Sequence, residues 1–240
     1  MTEKRTAMET VSDLKIIAHI RSDFGEKFGI PRQSGLVDTL TAQIVFEPEY
    51  RDANAFRGLE GYSHIWLLWG FDRNKKEGWS ATVRPPRLGG NMRMGVFATR
   101  SPFRPNPIGL SSVKIEGIEK TEKHGTVIHV SGADMADGTP IYDIKPYLPH
   151  VDAHPEAMGG FAGDVAGYGL EVVFPEELLA KIEPEKRGAL IGALEGDPRP
   201  SYQSDPDRVY GFLFAGKDVR FRVRDGVLTV VEIAEDVEER

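Results

Sequence analysis

Two arginines lie four positions apart in a proline-rich stretch, GVFATRSPFRPNPIGLS at residues 95–111. Proline fixes its own φ and biases the preceding residue towards extended geometry, so we expect a rigid loop that is neither a helix nor a regular strand. On such a backbone, Arg100 and Arg104 are held ready to bind a carboxylate or a phosphate through paired hydrogen bonds that lysine cannot reproduce. Asn106, between two prolines, adds an amide donor and acceptor. The pattern predicts an anion-binding loop, with a purely structural proline-rich cap as the alternative.

Basic residues are concentrated in one part of a chain whose net charge is −7. Residues 78–115 contain no Asp or Glu, and they hold a set that we name the basic island: Arg84, Arg87, Arg93, Arg100, Arg104 and Lys114. Removing these six from the 30 basic residues leaves 24 against 37 acidic ones, a balance of −13. A basic region on an acidic protein is the electrostatic pattern expected for a ligand that carries phosphate or carboxylate groups. The alternative is chance spacing of basic residues on a solvated surface.

A second segment supplies the opposite charge. Residues 131–147, SGADMADGTPIYDIKPY, place Asp134, Asp137 and Asp143 around an expected turn at 137–140. Carboxylates beside an arginine loop suit a ligand of both signs, because they accept from hydroxyl or ammonium groups while arginine binds a carboxylate. The alternative is an ordinary turn with solvated aspartates.

Composition and motifs exclude several kinds of chemistry. The chain has no cysteine, which rules out disulfides, thiolate catalysis and thiolate metal sites. It contains neither a glycine-rich dinucleotide fingerprint nor a phosphate-binding P-loop. A His-x-Asp-x-His string at 150–154 is a weak metal pattern in an expected loop, so we predict no metal site. The absence of a long apolar run and of a signal peptide predicts a cytoplasmic protein without a membrane span.

The spacing of apolar residues predicts a mainly β protein that begins with a β-barrel domain at 12–158. Short runs rich in β-branched or aromatic residues, bounded by Gly, Pro or Asp, predict strands at 14–20, 42–46, 64–71, 112–118, 126–130 and 141–144. Many short strands with Gly-rich and Pro-rich connections are typical of a barrel.

A small α+β domain is expected at 170–235. A helical segment at 175–195 is split by Pro184, because proline cannot continue a helix from the preceding turn. Strands are predicted at 209–214, 219–224 and 227–233, the last two joined by an Asp-Gly hairpin signal.

The chain resembles the TrmO (TsaA-like) family in five segments that follow the family's order: KFGIPRQSGLV (27–37), RGLEGYSHIWLLWGF (57–71), VRPPRLGGNMRMGVFATRSPFRPNPIGLS (83–111), DMADGTPIYDIKPYLP (134–149) and EGDPRPSYQ (195–203). That family uses S-adenosylmethionine (SAM) to methylate N6 of threonylcarbamoyladenosine (t6A) at position 37 of tRNA, which gives m6t6A. The resemblance implies a SAM-binding β-barrel methyltransferase that forms a homodimer and binds the anticodon stem-loop, with threonine tRNA as the expected substrate.

The resemblance also implies which residues contact the ligands. Binding segments of the family that hold SAM correspond here to Pro31, Arg32, Gln33, Phe71, Asp72, Arg73, Arg100, Leu110, Asp137, Gly138 and Thr139, and we add Asp134 from the acidic segment. Contacts to tRNA are expected from Arg84, Arg87, Arg93, Arg104, Lys145 and Arg199. For Arg199, a brace between the two domains is the alternative role.

Methyl transfer requires a group that accepts the N6 proton or its hydrogen bond, because the nitrogen lone pair is withdrawn into the ring and the carbamoyl group. Candidates for this catalytic role are Asn106, Asp137 and Tyr142, with Asp134 and Asp143 as alternatives.

Aromatic residues such as Phe103 and Tyr147 are expected to stack on the target base, which lies in a single-stranded loop, with packing in the core as the alternative for Phe103. Two other function classes stay open at this point: a small-molecule methyltransferase with the same barrel, and a non-catalytic RNA-binding module. The basic island argues against the first class, and the acidic segment argues against the second.

Overall fold

A closed barrel of six antiparallel strands forms the first part of the computed structural model, which describes residues 13–73, 78–85, 92–165, 167–199 and 205–235. The strand order around the barrel is β1-β2-β7-β6-β3-β8. The bounds are β1 (Ala18–Ser22), β2 (Thr41–Phe46), β3 (His64–Gly70), β6 (Ile108–Thr121), β7 (Gly125–Ser131) and β8 (Pro140–Pro146), and a separate two-stranded ladder joins β4 (Thr82–Val83) to β5 (Met94–Gly95). Closure pairs the sheet edges that an open sheet would leave to solvent.

Alternation along each strand fills the barrel interior. In β3, Ile65, Leu67 and Trp69 are buried, whereas Trp66 and Leu68 between them are only partly covered. Ile20 from β1 and apolar residues from β2, β7 and β8 complete this core. A period of two is what a half-buried strand produces, so the same pattern decides which side chains reach the interior and which face outward.

A second sheet has the order β10-β11-β12-β9 and carries two helices. Its elements, which we name the C-terminal unit, are β9 (Glu171–Val173), α2 (Glu176–Leu179), α3 (Pro184–Glu195), β10 (Tyr210–Phe214), β11 (Lys217–Arg224) and β12 (Val227–Glu235). A short helix, α1 (Pro149–Asp152), and five 3-10 helices at 48–50, 53–56, 59–61, 96–98 and 160–165 lie outside the sheets. Asp225 and Gly226 have φ values of 51° and 80°, as a tight two-residue hairpin turn requires.

The long connection from β1 to β2 is packed against the C-terminal unit. Phe24, Val37 and Leu40 are buried in the same hydrophobic cluster as the interior of that unit. The Lys186 ammonium lies 2.6 Å from a carboxylate oxygen of Asp23, both side chains being largely covered. This connection, residues 23–40, is therefore clamped between barrel and C-terminal unit, and we name it the clamped loop.

The mainly β fold with a barrel and a small C-terminal α+β part is confirmed, and most predicted strands lie within a few residues of the observed ones. The first strand is an exception, because it begins at Ala18 rather than at residue 14. Strand β9 was not predicted; it is short and pairs in parallel with β12. In the described part of the chain, no helix has the length and apolar character needed to cross a membrane.

The expectation that residues 95–111 are neither helix nor strand is wrong at both ends. Gly95 ends β5, residues 96–98 form a 3-10 helix, and β6 starts at Ile108. Pro105 and Pro107 lie just before the first pairing position, Ile108 opposite Gly70, so their missing N–H groups do not interrupt the ladder. The prolines therefore shape residues 99–107 and leave the strand intact.

Gly29 tests how tightly the clamped loop is packed. Its φ is +96°, and a Cβ atom there would lie 2.4 Å from the ring of Phe212, which is 1% exposed. We expect Gly29→Ala to lower the free energy of unfolding by about 3 kcal/mol, from left-handed strain of about 1–2 kcal/mol and overpacking of about 1–3 kcal/mol. Urea unfolding measures this.

Gly58→Ala is the matched control, because Gly58 has a φ of +89° but open space at the Cβ position. It should lose only the strain component, about 1–2 kcal/mol. Equal losses for the two variants would show that the Phe212 contact is not a constraint.

Candidate functional site

The barrel topology brings the candidate loops to one end. The clamped loop leaves β1 and enters β2, residues 71–107 join β3 to β6, and residues 132–139 join β7 to β8. Because neighbouring strands of the barrel are antiparallel, β1, β3 and β7 run in the same direction. The three connections that follow these strands therefore lie at the same end of the barrel. We name this end, where β3 finishes at Gly70 and β6 starts at Ile108, the barrel mouth.

Hydrogen bonds join these three connections. Phe71 N–H donates to the carbonyl of Pro107 at 3.0 Å, which closes the β3–β6 connection. Arg100 from that connection donates to Gln33 Oε1 of the clamped loop. Ser111, at the start of β6, donates to Asp134 Oδ1 of the third connection at 2.5 Å. The three segments therefore form one site rather than three separate loops.

A buried polar relay lies under the mouth. Trp69 Nε1 donates to Ser111 Oγ at 2.9 Å, and Ser111 in turn donates to Asp134. Trp69 and Ser111 are 7% and 1% exposed. Gly109 makes room for the indole, because a Cβ atom there would lie 2.2 Å from the Trp69 ring. The relay fixes the orientation of the Asp134 carboxyl from below.

The Asp134 carboxyl is the strongly perturbed acid of the site. Burial raises the pKa of Asp134 above its ordinary value of 3.8. Hydrogen bonds from the Ser111 hydroxyl and from backbone N–H groups, including that of Ser34, oppose this pKa shift, as does the positive charge of Arg100. A carboxyl that is buried, oriented and faced by an arginine can anchor a ligand or accept a proton.

Arg100 is the cation of the mouth. Its side chain is exposed, and its guanidinium donates to Gln33, whose own amide nitrogen donates to the Arg32 carbonyl. Gln33 therefore holds Arg100 beside Asp134 without neutralising it. The combination offers a ligand one positive and one negative group.

The turn at 137–139 is tied to β1. Asp137 accepts from the Ser22 backbone N–H at 3.1 Å and lies 3.4 Å from Arg21. Gly138, with a φ of +78°, donates its N–H to the Ile20 carbonyl at 2.8 Å. Arg73 donates to the Asp137 carbonyl from the opposite side. The carboxylate of Asp137 is thus engaged in holding the turn, and Thr139 beside it is buried.

Arg32 points towards the C-terminal unit. Its guanidinium donates to the carbonyls of Asp197 and Arg199, at 3.3 and 2.9 Å. Arg199 is paired with Asp197 at 2.9 Å, and both side chains are mostly covered. Donation of hydrogen bonds to the Asp197 carboxylate raises the pKa of Arg199 above its ordinary value. The bonds between the clamped loop and the C-terminal unit therefore come from the Arg32 guanidinium, whereas the Arg199 side chain pairs within its own unit. The role of Arg199, a tRNA contact or a brace, stays a prediction.

The remaining members of the basic island differ in accessibility. Arg84 and Arg93 are exposed beside the β4–β5 ladder, and Arg93 Nε donates to Thr82 Oγ1 at 2.9 Å. Arg104 is half-buried and donates to the Thr99 carbonyl at 3.1 Å, so it stabilises its own loop. Arg87 lies outside the described residues.

Two further basic residues are paired on the strands. Lys114 lies 2.9 Å from Glu116 on β6. The ammonium of Lys145, which is expected to contact tRNA, lies 2.7 Å from a carboxylate oxygen of Asp143. In the β3–β8 ladder Lys145 is opposite Trp66, towards the end of the barrel away from the mouth.

Five other predicted residues lie around the mouth without a hydrogen bond to the relay among the described contacts. Asn106 and Asp72 are exposed, and Leu110, 52% exposed, faces away from the barrel interior. Tyr142 packs its phenol over Gly70, where a Cβ atom would lie 2.2 Å from the hydroxyl. Pro31 is half-buried at the start of the Arg32-Gln33 segment.

The His-x-Asp-x-His string has a structural role. It overlaps helix α1 rather than lying wholly in a loop, and its Asp152 accepts from Trp66 Nε1 at 2.9 Å and from the Leu148 N–H at 2.8 Å. Those hydrogen bonds lower the pKa of Asp152. Within the described residues, no group of three or more His, Asp or Glu side chains is arranged to hold a metal ion.

Comparison with known proteins decides the family. The model of the tRNA-methyltransferase O N-terminal domain matches residues 19–153, and that of the TrmO C-terminal domain matches residues 168–236. The chain belongs to the TrmO family. The resemblance noted in the sequence and the enzyme class that it implied, a tRNA methyltransferase, are thereby confirmed.

Individual members of the family are similar over most of their length. The chain is 41% identical to the tRNA (adenine(37)-N6)-methyltransferase of Escherichia coli strain K12, over 87% of this chain and 92% of that one. It is 39% identical to the putative S-adenosylmethionine-dependent methyltransferase RcsF of Pseudomonas aeruginosa, over 91% and 96%. The crystal structure of TrmO from Pseudomonas aeruginosa superimposes with a TM-score of 0.73 at 33% identity, covering 94% of this chain and all of that one.

Sequence reasoning missed two members of the relay, Trp69 and Ser111. The alternation of side chains along a strand could have identified Ser111, because Gly109, Ser111 and Val113 lie on the same face of β6 and this face points inward. A single hydroxyl inside an apolar barrel needs a hydrogen-bond partner. The identity of that partner depends on the β7–β8 connection, which no local pattern places.

Asp134→Asn tests the burial of the carboxyl through pH. The pKa of Asp134 is raised in the folded state, so folding favours the protonated carboxyl. The stability that this contributes is fully present below pH 3.8 and is lost as the pH rises through the raised pKa. Asparagine still accepts from Ser111 but does not ionise. We expect the melting temperature of Asp134→Asn to rise relative to that of the unmodified protein between about pH 3.5 and about pH 7.

The control is Asp13→Asn, since Asp13 is exposed. Its melting temperature, followed by circular dichroism over the same range, should track that of the unmodified protein. A difference for Asp134→Asn that does not change with pH would contradict the assignment.

Proposed function

We propose that this protein transfers a methyl group from SAM to N6 of t6A at position 37 of tRNA, giving m6t6A. The observation that carries the proposal is the meeting of Arg100, Gln33 and Asp134 at the barrel mouth of a chain that belongs to the TrmO family. Its relatives named tRNA (adenine(37)-N6)-methyltransferase support the position and the atom. The t6A group and threonine tRNA as substrate stay predictions.

The residues of the mouth fit SAM by their chemistry. SAM carries a carboxylate, an ammonium group, ribose hydroxyls and a sulfonium centre, so it needs both a cation and acceptors. Arg100 supplies the cation, and Asp134 supplies an acceptor. Bound SAM supplies an activated methyl group. The full binding set that we propose is Pro31, Arg32, Gln33, Asp72, Arg73, Arg100, Leu110, Asp134, Asp137, Gly138 and Thr139.

Within this set we assign direct and supporting roles. Arg32, Arg73 and Asp137 already bind backbone groups of the protein, so they position the clamped loop and the turn. Gln33 and Arg100 face the opening and are the groups that bind a ligand. Positioning matters because an activated donor needs alignment with the attacking nitrogen and exclusion of water more than it needs further activation.

For the proton on N6, we propose Asp134 as the acceptor before the other candidates. A general base works best when its pKa lies near the working pH, and burial moves the pKa of Asp134 upward in that direction. The carboxylate of Asp137 is occupied by Ser22 and Arg21. Asn106 and Tyr142 keep the weaker role of hydrogen-bonding to the target base.

Contacts to tRNA are assigned to the exposed members of the basic island. Arg84 and Arg93, with Arg87 from the island sequence, would bind phosphates of the anticodon stem-loop.

We further propose a barrel domain at 12–158 and a C-terminal domain at 170–235, in line with the family matches at 19–153 and 168–236. A homodimer and a cytoplasmic location, where the tRNA substrate is found, complete the proposal.

Labelled methyl transfer from SAM to threonine tRNA, with and without t6A, tests the function. We expect label on the t6A-containing tRNA, and a loss of at least about a hundredfold in rate for Asp134→Asn if the carboxylate accepts the proton. Label on neither tRNA, with SAM still bound, would contradict the substrate and move the activity to another methyl acceptor.

Arg100→Lys separates donor binding from general charge. Lysine keeps the positive charge but loses the paired donors, so we expect the Kd for SAM, measured by calorimetry, to rise about tenfold to a hundredfold. The control Arg57→Lys changes an exposed arginine near the opposite end of the barrel that binds Asn54. An unchanged Kd for Arg100→Lys would remove Arg100 from the donor site.

A further inference from the structure

Two large aromatic side chains lie exposed on the connection between β3 and β6. Trp79 is 53% exposed and Phe97 is 74% exposed. Their ring centroids are 6.4 Å apart, with 23° between the ring planes. Single exposed apolar residues are common, but two stacked rings that together leave so much apolar area in water are typical of a ligand-binding surface. We name Trp79 and Phe97 the aromatic pair.

The backbone under the aromatic pair is well held. Thr82 pairs with Gly95 in the β4–β5 ladder, which places the segments before Thr82 and after Gly95 side by side. Val96 N–H donates to the Ala81 carbonyl at 3.0 Å, and the Val96 side chain is 1% exposed. The rings are therefore presented by an anchored backbone, which lowers the entropy lost on binding.

Positive charge lies along the same β4–β5 ladder as the aromatic pair, at its other end. Arg84 follows β4 directly, Arg93 precedes β5 directly, and both are exposed. Arg100 is three residues from Phe97, so their Cα atoms are at most about 11 Å apart. Residues 78–115 contain no acidic side chain. Aromatic faces that share a connection with exposed arginines match a ligand with flat bases and a phosphate backbone.

The aromatic residues favoured from the sequence are less available. Phe103 is half-buried, and its carbonyl accepts from Ser80 N–H at 3.2 Å. Tyr147 packs on Trp66 with ring centroids 5.5 Å apart and follows β8, whose end lies away from the mouth. The accessible faces near Arg100 are those of Trp79 and Phe97.

We propose that the aromatic pair stacks on an unpaired base of the tRNA anticodon loop, while Arg84 and Arg93 bind the flanking phosphates. This inference rests on the proposed function. It adds a stacking surface for a second base of the loop, in addition to the base that is methylated. Bases in a single-stranded loop can stack on protein rings without the energy of unpairing. Every base has such a face, so the contact would serve different tRNAs that share an adenine at position 37.

Binding of the full-length protein to an anticodon stem-loop RNA, followed by fluorescence anisotropy, tests this surface. We expect Trp79→Ala and Phe97→Ala each to raise Kd about tenfold, the loss that base–aromatic stacking produces. Trp79→Phe keeps a ring and should stay within about threefold of the unmodified protein. Tyr62→Ala, at an aromatic residue 40% exposed near the opposite end of β3, is the matched control and should leave Kd unchanged.

Salt dependence separates stacking from charge. The slope of log Kd against log salt concentration should be the same for Trp79→Ala as for the unmodified protein, whereas Arg93→Ala should reduce it by about one. Stem-loops with a single abasic nucleotide then complete a double-mutant cycle. At the loop position that stacks, removing the base should abolish the effect of Trp79→Ala.

Several outcomes would overturn the inference. If Trp79→Ala and Phe97→Ala bind the stem-loop like the unmodified protein, the aromatic pair does not stack on RNA. If they change the sedimentation coefficient or the Kd for SAM instead of the Kd for RNA, the pair belongs to a contact between copies of the chain or to the donor site. Failure of the unmodified protein to bind or methylate tRNA would refute the proposed function itself, which separates the two failures.

Discussion

The register between β3 and β6 is the constraint on which the site depends. It places Gly109 opposite Trp69, so that the indole lies over a residue without a side chain and its N–H reaches Ser111. A shift of one residue would turn Ser111 outward and Leu110 inward, and Asp134 would lose its hydroxyl partner inside the barrel. The same register ends β3 where Phe71 can donate to Pro107, which sets the start of the loop that carries Arg100. One pairing therefore positions both charges of the site.

The C-terminal unit contributes to the site by holding the clamped loop. Phe24 packs on Phe214 with ring centroids 5.2 Å apart, and Phe28 packs on Phe212. Arg32 adds hydrogen bonds to two carbonyls of that unit. A loop held at several points loses little conformational entropy when its glutamine binds a ligand. Docking the C-terminal unit on this connection therefore pre-organises Gln33, and through Gln33 it also restrains Arg100.

Local sequence patterns were sufficient for much of the fold and for the choice of segments. Alternation identified the barrel strands, Pro184 marked the start of α3, and the Asp-Gly pair marked the last hairpin. Residue type and spacing also selected Arg100 and Asp134, and the family resemblance added Gln33. They could not rank the acids, because Asp134 and Asp137 stand three residues apart in one segment, yet one accepts a hydrogen bond from the buried Ser111 and the other is paired with β1. That distinction comes from contacts between segments distant in sequence. For the same reason Trp79, in a stretch with no motif, gave no signal as a surface residue.

Charge counting along the sequence also treats unlike residues as equal. Arg100 and Arg104 stand four residues apart in one loop, but the guanidinium of Arg104 donates a hydrogen bond to the Thr99 carbonyl of the same loop and stabilises it. Lys114 is neutralised locally by Glu116. What is left for phosphates in the described part of the island is Arg84 and Arg93, at the end of the β4–β5 ladder that is farther from the aromatic pair, with Arg100 directed to Gln33. The loop thus uses one arginine to hold its shape and another to meet a ligand, and this shape is what presents Phe97 beside them. An overall charge of −7 is compatible with an RNA partner because the attraction is local, acting within about a Debye length of 8–10 Å.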